Sequence, residues 1–263
     1  MKHYIFALSA AISALCAPPS LAHFLLNYTQ DAVIERTGDL PVALIFWHPF
    51  DNGHVMEMAA PQAFYAIHHG EKMDLVPSLE PFTFQGAQNK AQAFLGRIPI
   101  RRSGDYVIVT EPAPYYEASE DKYIQQFTKA VINRNGLPSD WDVQLDLPAE
   151  IVPLNRPYTI LTGSTFTGRV LASGAPVAGA EIEIEYMAAE PDLTTNSAPP
   201  SQVSPPKGGT LVAVSDQNGY FTFGVPKAGY WGFAALGVGK KTSHNGKELS
   251  QDAVFWIKAY DLE

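Results

Sequence analysis

Imidazole nitrogens bind divalent transition metals, and five of this chain's seven histidines fall between residues 23 and 69. His48 and His54 bracket Pro49-Phe50-Asp51-Asn52-Gly53, a turn that folds two imidazoles towards one point. His54, Met56 and Met58 then alternate, which puts them on one face of a strand. Their thioethers suit soft Cu(I), although methionine at such spacing is more commonly core filling. His68 and His69 end another strand before Gly70. Being adjacent, they point to opposite faces, so one of them at most joins a given site. His244 stands apart and reads as an ordinary surface residue. The expected ligand set is therefore His23, His48 and His54, with His68 as a possible fourth member; whether Met56, Met58 or His69 belongs to it stays open.

His23 enters through the N-terminal segment. Lys2 precedes an apolar run, Ile5 to Ala17, that is too short to span a bilayer. Pro18 and Pro19 break it, and Ser20-Leu21-Ala22 offers small residues where a signal peptidase reads. Residues 1–22 are expected to be a cleaved signal peptide, which makes the protein periplasmic. The alternative, a lipid anchor on Cys16, is disfavoured by Leu15, which stands where a small residue is needed. Cleavage gives His23 a free α-amine beside its imidazole, and those two nitrogens can chelate one ion. It also removes the only cysteine, so the processed chain has neither disulfide nor thiolate ligand.

Such donors need a scaffold, and the scaffold reads as all-β. Short β-rich runs bounded by Gly, Pro, Asn and Asp recur throughout. The stretch Glu117 to Asn133 suits either a helix face or a strand and is taken as strand. The fold expected is two consecutive β-sandwiches of immunoglobulin or transthyretin type, over residues 23–155 and 156–263. In the second unit Ile182, Ile184 and Tyr186 share one face of a strand, and Glu181, Glu183 and Glu185 share the other. Ser173-Gly174 suggests a hairpin between the strands 166–171 and 180–186. Asp216-Gln217-Asn218-Gly219 suggests another between 210–215 and 220–225. Residues 188–209, rich in Pro, Ser and Ala, read as a mobile surface loop.

Several function classes fall away. A net charge of -9 opposes nucleic-acid binding, which needs a basic stripe. No G-x-S-x-G elbow, phosphate loop, dinucleotide fingerprint or helical zinc-protease motif occurs, so no catalytic residue is assigned and no enzyme activity is expected. Glu120-Asp121 reads as solvated charge. Tyr115, Tyr116 and Tyr123 either line a cleft or pack on the sheet.

Trp47-His48-Pro49-Phe50, Asn52-Gly53-His54, Pro112 to Glu117, Glu150 to Leu154, Ala180 to Tyr186, Asp216 to Phe221, Ala228 to Gly232 and the tail Glu248 to Asp261 together resemble one family. It is that of the exported accessory proteins of nickel and cobalt uptake, encoded beside energy-coupling-factor transporters. The resemblance implies capture of Ni(II) or Co(II) for a membrane permease, with His23 and His48 as ligands. The second unit also resembles small transthyretin-like sandwiches, which implies a scaffold or docking role. Competing readings are periplasmic copper handling, a copper oxygenase built on an N-terminal histidine, and a structural adhesion module.

Overall fold

The computed structural model describes residues 23–207 and 210–262. The expected signal peptide and its cleavage point lie outside the described residues. Apart from one 3-10 turn at Val76–Ser78, every regular element is a strand, as the patterning implies. The first eleven are β1 (Phe24–Tyr28), β2 (Val33–Ile34), β3 (Gly38–Trp47), β4 (Val55–Met56), β5 (Ala63–His68), β6 (Glu71–Asp74), β7 (Glu80–Gln85), β8 (Lys90–Ile100), β9 (Gly104–Glu111), β10 (Tyr115–Glu117) and β11 (Lys122–Arg134). The remainder are β12 (Glu150–Pro153), β13 (Ile160–Leu161), β14 (Thr165–Ala172), β15 (Ala175–Pro176), β16 (Glu181–Tyr186), β17 (Leu211–Val214), β18 (Tyr220–Gly224), β19 (Gly229–Ala235), β20 (Ser243–His244) and β21 (Lys247–Tyr260).

Three sheets carry the fold. The order β1-β3-β8-β7, with β4 on β3, makes one; β12-β14-β15, with β18 on β14, makes another. Between them runs a twelve-stranded sheet with the main order β17-β16-β19-β21-β11-β9-β5-β6. The stretch 122–134 is a strand, as expected. It pairs in parallel with β21, Tyr123 opposite Leu249 and Ala130 opposite Trp256. Backbone pairing thus crosses residue 155, since β11 and β21 come from opposite sides of it. β12 also precedes that point yet pairs with β14 beyond it.

Alternation decides what each face buries. On one face of the long sheet, Phe127, Val131, Ile182, Ile184, Phe233 and Phe255 pack against Ile151, Phe166, Val170 and Phe221 of the four-stranded sheet. The other face meets β1, the edge strand of the five-stranded sheet, whose residues are all buried. Leu25 joins Phe46, Met56, Met58 and Ile124 on one side, while Phe24 and Leu26 join Trp47, Val254 and Trp256 on the other. Met56 and Met58 are therefore core residues. Both Glu183 and Glu185 are buried too, at 5% and 7% exposure, because the sheet is covered on both faces.

Both expected hairpins are redrawn. Ser173-Gly174 does turn the chain, but Ala172 pairs with Ala175 in the two-residue strand β15; β16 lies in the other sheet, between β17 and β19. Around Asp216-Gly219, β17 pairs with β16 and β18 with β14, so that turn crosses from one layer to the other. The segment after β16 is docked rather than free. Ala188 and Ala189 are buried, Ala188 N–H donates to Pro49 O, and Ala198 N–H donates to Gln85 O.

Candidate metal centre

The pairing register builds the site. β1 runs antiparallel to β3 with Phe24 opposite Trp47, so one further step sets His23 opposite His48. The two ring centroids are 4.5 Å apart. Phe46 and Tyr115 form the apolar wall beside them, 5.7 Å and 6.4 Å from the His23 ring. Directly opposed cross-strand residues of an antiparallel pair share a face, which is why two histidines 25 positions apart in sequence meet.

His23 is held at both its ring and its main chain. Its Nε2 lies 2.9 Å from Glu117 Oε2, and both side chains are close to nine-tenths buried. Glu117 comes from β10, which pairs with β11. The buried Gln126 amide donates to His23 O at 2.6 Å and accepts from Leu25 N at 2.7 Å, locking the start of β1 to β11. Burial pulls the His23 pKa below its ordinary value, against the opposing pull of Glu117. Its imidazole is therefore neutral at pH 7, the state a ligand needs. Burial works to raise the Glu117 carboxyl, but hydrogen bonds from Ser119 and from the His23 ring outweigh it and hold the group below its usual range.

The bond to Glu117 also selects the tautomer. A neutral imidazole that donates from Nε2 to a carboxylate keeps the lone pair on Nδ1. Nδ1 is the nitrogen that closes a six-membered chelate with an α-amine on the same residue.

His54 continues the same row, since Trp47 lies opposite Val55 and His48 N–H donates to His54 O at 3.3 Å. Its ring, however, is exposed and lies beside Asn89, with Nε2 3.4 Å from Nδ2. His68 is a correction. It flanks Tyr106 at the far end of the sheet, stacked at 4.0 Å, with Nδ1 2.8 Å from Asp105 O. Tyr106 is opposite Ile132 on β11, six residues from Gln126, so His68 lies about 20 Å from His23 at ~3.3 Å per residue. That separation removes it from any ion held by His23. His69 sits with it, its Nε2 2.9 Å from Ser103 O. His244 packs edge-on against Tyr123 at 4.7 Å.

Among the described residues no group of three or more His, Cys, Asp or Glu side chains is arranged to hold a metal ion. The donors assembled are thus two imidazoles and one orienting carboxylate. Glu117 and Gln126 are not singled out by sequence reasoning. Their contacts with His23 span 94 and 103 residues, and Glu117 enters only as a boundary of the stretches Pro112 to Glu117 and Glu117 to Asn133. Beside the pair, Tyr115 and Tyr116 line a cleft of about 140 Å³ with Leu25, Phe46, Met58 and Gln126. Tyr123 instead packs on Tyr116 and His244. Glu120 and Asp121 are exposed and paired with Lys122 and Lys247.

Among solved structures, the chain is similar to the D0-D1 domain of intimin at 12% identity, covering 86% of this chain and 95% of that one with a TM-score of 0.20. It is also similar to dimeric latent PorU from Porphyromonas gingivalis at 11% identity, covering 92% of this chain and 20% of that one, TM-score 0.21. A third is the major pilin subunit BcpA of Bacillus cereus at 12% identity, 93% and 69% coverage, TM-score 0.17. At these scores the likenesses carry no argument about function. Among curated proteins, none matches this sequence. A family model described as "Domain of unknown function (DUF4198)" matches residues 20–239, and the chain belongs to that family.

Proposed function

We propose that this chain, processed to begin at His23, is a periplasmic binder of a divalent transition metal, nickel or cobalt, that hands the ion to a membrane uptake transporter. The observation that carries the reading is the Glu117 carboxylate on His23 Nε2, with the His48 ring 4.5 Å away. A carboxylate on the far nitrogen of a ligating histidine fixes its tautomer and raises its basicity. With Nδ1 and the α-amine of His23 chelating, and the His48 ring beside them, three nitrogen donors converge. Nitrogen donors of this kind suit nickel, cobalt, copper and zinc. Glu117 supplies negative charge beside the ion, and Phe46 and Tyr115 shelter it from water. The ion is cargo, and no catalytic step is assigned.

Periplasmic copper handling is the second reading. It is favoured by the same set, because an amine and two imidazoles without a carboxylate in direct contact suit Cu(II).

Calorimetric titration of protein starting at His23 with Ni(II), Co(II), Cu(II) and Zn(II) tests the reading. One ion per chain is expected. His48→Ala and a single residue added before His23 should each weaken binding at least 100-fold. Because the donors must be unprotonated, affinity should also fall below about pH 6. Equal affinity for native-start protein and His48→Ala would overturn the site. Transport is tested separately, by metal uptake in cells carrying or lacking the gene.

A further inference from the structure

A second cavity lies away from the histidines. It measures about 620 Å³ and is bounded by Tyr28, Gln30, Pro41, Leu95 and Arg97 on one side and residues 190–194 on the other, a size in the range of small-ligand sites. Register explains its floor. Tyr28, Ala43 and Leu95 stand opposite one another across β1, β3 and β8, and Pro41 stands opposite Arg97 one step further along. The roof is the segment after β16, where Pro191 is buried and Leu193 half-buried.

Its charges are separated. Arg97 is exposed, and among the described residues no ion pair involves it. Glu190 hangs over the β1 side, beside the Tyr28 hydroxyl and within reach of Lys258 and Asp31. Asp192 is held in place by Thr194 N–H and Oγ1. Lys258 is engaged with Asp31 and also attracts Glu190. Arg97 therefore lines the β8 side of the floor and Glu190 the β1 side, with Asp192 in the roof. β8 and β1 are separated by β3, so their backbones lie about 10 Å apart.

We infer that this groove binds a short peptide with free termini. Its carboxylate lies in the fork of Arg97, the geometry guanidinium recognises best. Its ammonium meets Glu190 and Asp192, and an apolar side chain rests on Leu95, Pro41 and Leu193. The charge separation fits a dipeptide, whose termini span roughly 7 Å when extended, better than one amino acid, whose charges share a single carbon. The inference is independent of the metal reading.

The test is calorimetry with alanyl-leucine, its N-acetylated form and its C-terminal amide, in the presence of a chelator so that metal plays no part. The free dipeptide should bind, and each blocking group should weaken it at least tenfold. Arg97→Gln should erase the difference between free acid and amide while leaving the penalty for acetylation. Glu190→Gln combined with Asp192→Asn should do the reverse. Arg97, Glu190 and Asp192 are all exposed, so these changes leave the cores intact. Absence of binding at millimolar dipeptide, equal binding of free and blocked forms, or failure of the variants to split in this way would overturn the inference.

Discussion

Two pairs of histidines stand in this molecule, and they teach opposite lessons. His23 and His48 meet across a strand ladder, with a carboxylate on the outer nitrogen of His23. His68 and His69 are neighbours in sequence with centroids 4.2 Å apart, yet both are spent on structure. One ring bonds to Asp105 O and stacks on Tyr106; the other bonds to Ser103 O. The β5–β6 turn beside them is tied down by Asp140, which accepts from His69 N and Gly70 N, and His69 itself takes a positive φ of 50°. Proximity of imidazoles is thus not what makes a ligand pair. What differs is the charge at hand: Glu117 puts a carboxylate on the His23 ring beside His48, while backbone carbonyls bond to the His68 and His69 rings.

The contrast breaks most sharply at His48 and His23. Replacing either by Ala should loosen metal binding at least 100-fold in calorimetry. Glu117→Gln comes next, since it keeps shape and hydrogen bonding but removes the charge. A loss of roughly 10-fold to 100-fold in affinity is expected, the usual effect of an outer partner to a ligating histidine. His68→Ala should do the reverse, leaving affinity alone and lowering stability in denaturant by about 1–3 kcal/mol through the lost hydrogen bond and ring stack.

A smaller effect concerns the buried acids. Burial, with help from Glu181 and Asp252, pushes Glu183 up to about 7. Because its folded pKa lies above its unfolded value, the stability it contributes is present below about pH 4.5 and is lost as pH rises through 7. Glu183→Gln should therefore raise stability at pH 8, and with it the melting temperature, by on the order of 1–2 kcal/mol after solvent screening. At pH 4 it should change little. A Gln variant that melts lower at pH 8 would show that the carboxylate has a partner in that state.

The same contrast shows what the sequence carries. Local alternation reveals strands, including Lys122–Arg134, and marks Ile182, Ile184 and Tyr186 as one buried face. It does not reveal what covers the opposite face, where the double-covered sheet buries Glu183 and Glu185. Nor does it reveal pairing between distant strands. His48 and His54 are linked by a short turn and look like partners, yet the His54 ring is beside Asn89. His23 becomes the partner of His48 only through the β1–β3 register, which local sequence does not encode. Turn chemistry places Ser173-Gly174 and Asp216-Gly219 correctly as turns but not the strands they join, because a sandwich lets the chain change layers at a turn.

The central claim is that one pair of histidines binds metal and the other does not. Histidine ring resonances of native-start protein, followed by NMR as paramagnetic Ni(II) or Cu(II) is added, test it most directly. His23 and His48 signals should broaden first and vanish near one equivalent, while His68 and His69, about 20 Å away along the sheet, persist. Early loss of the His68 and His69 signals, or uniform broadening of all of them, would contradict the account.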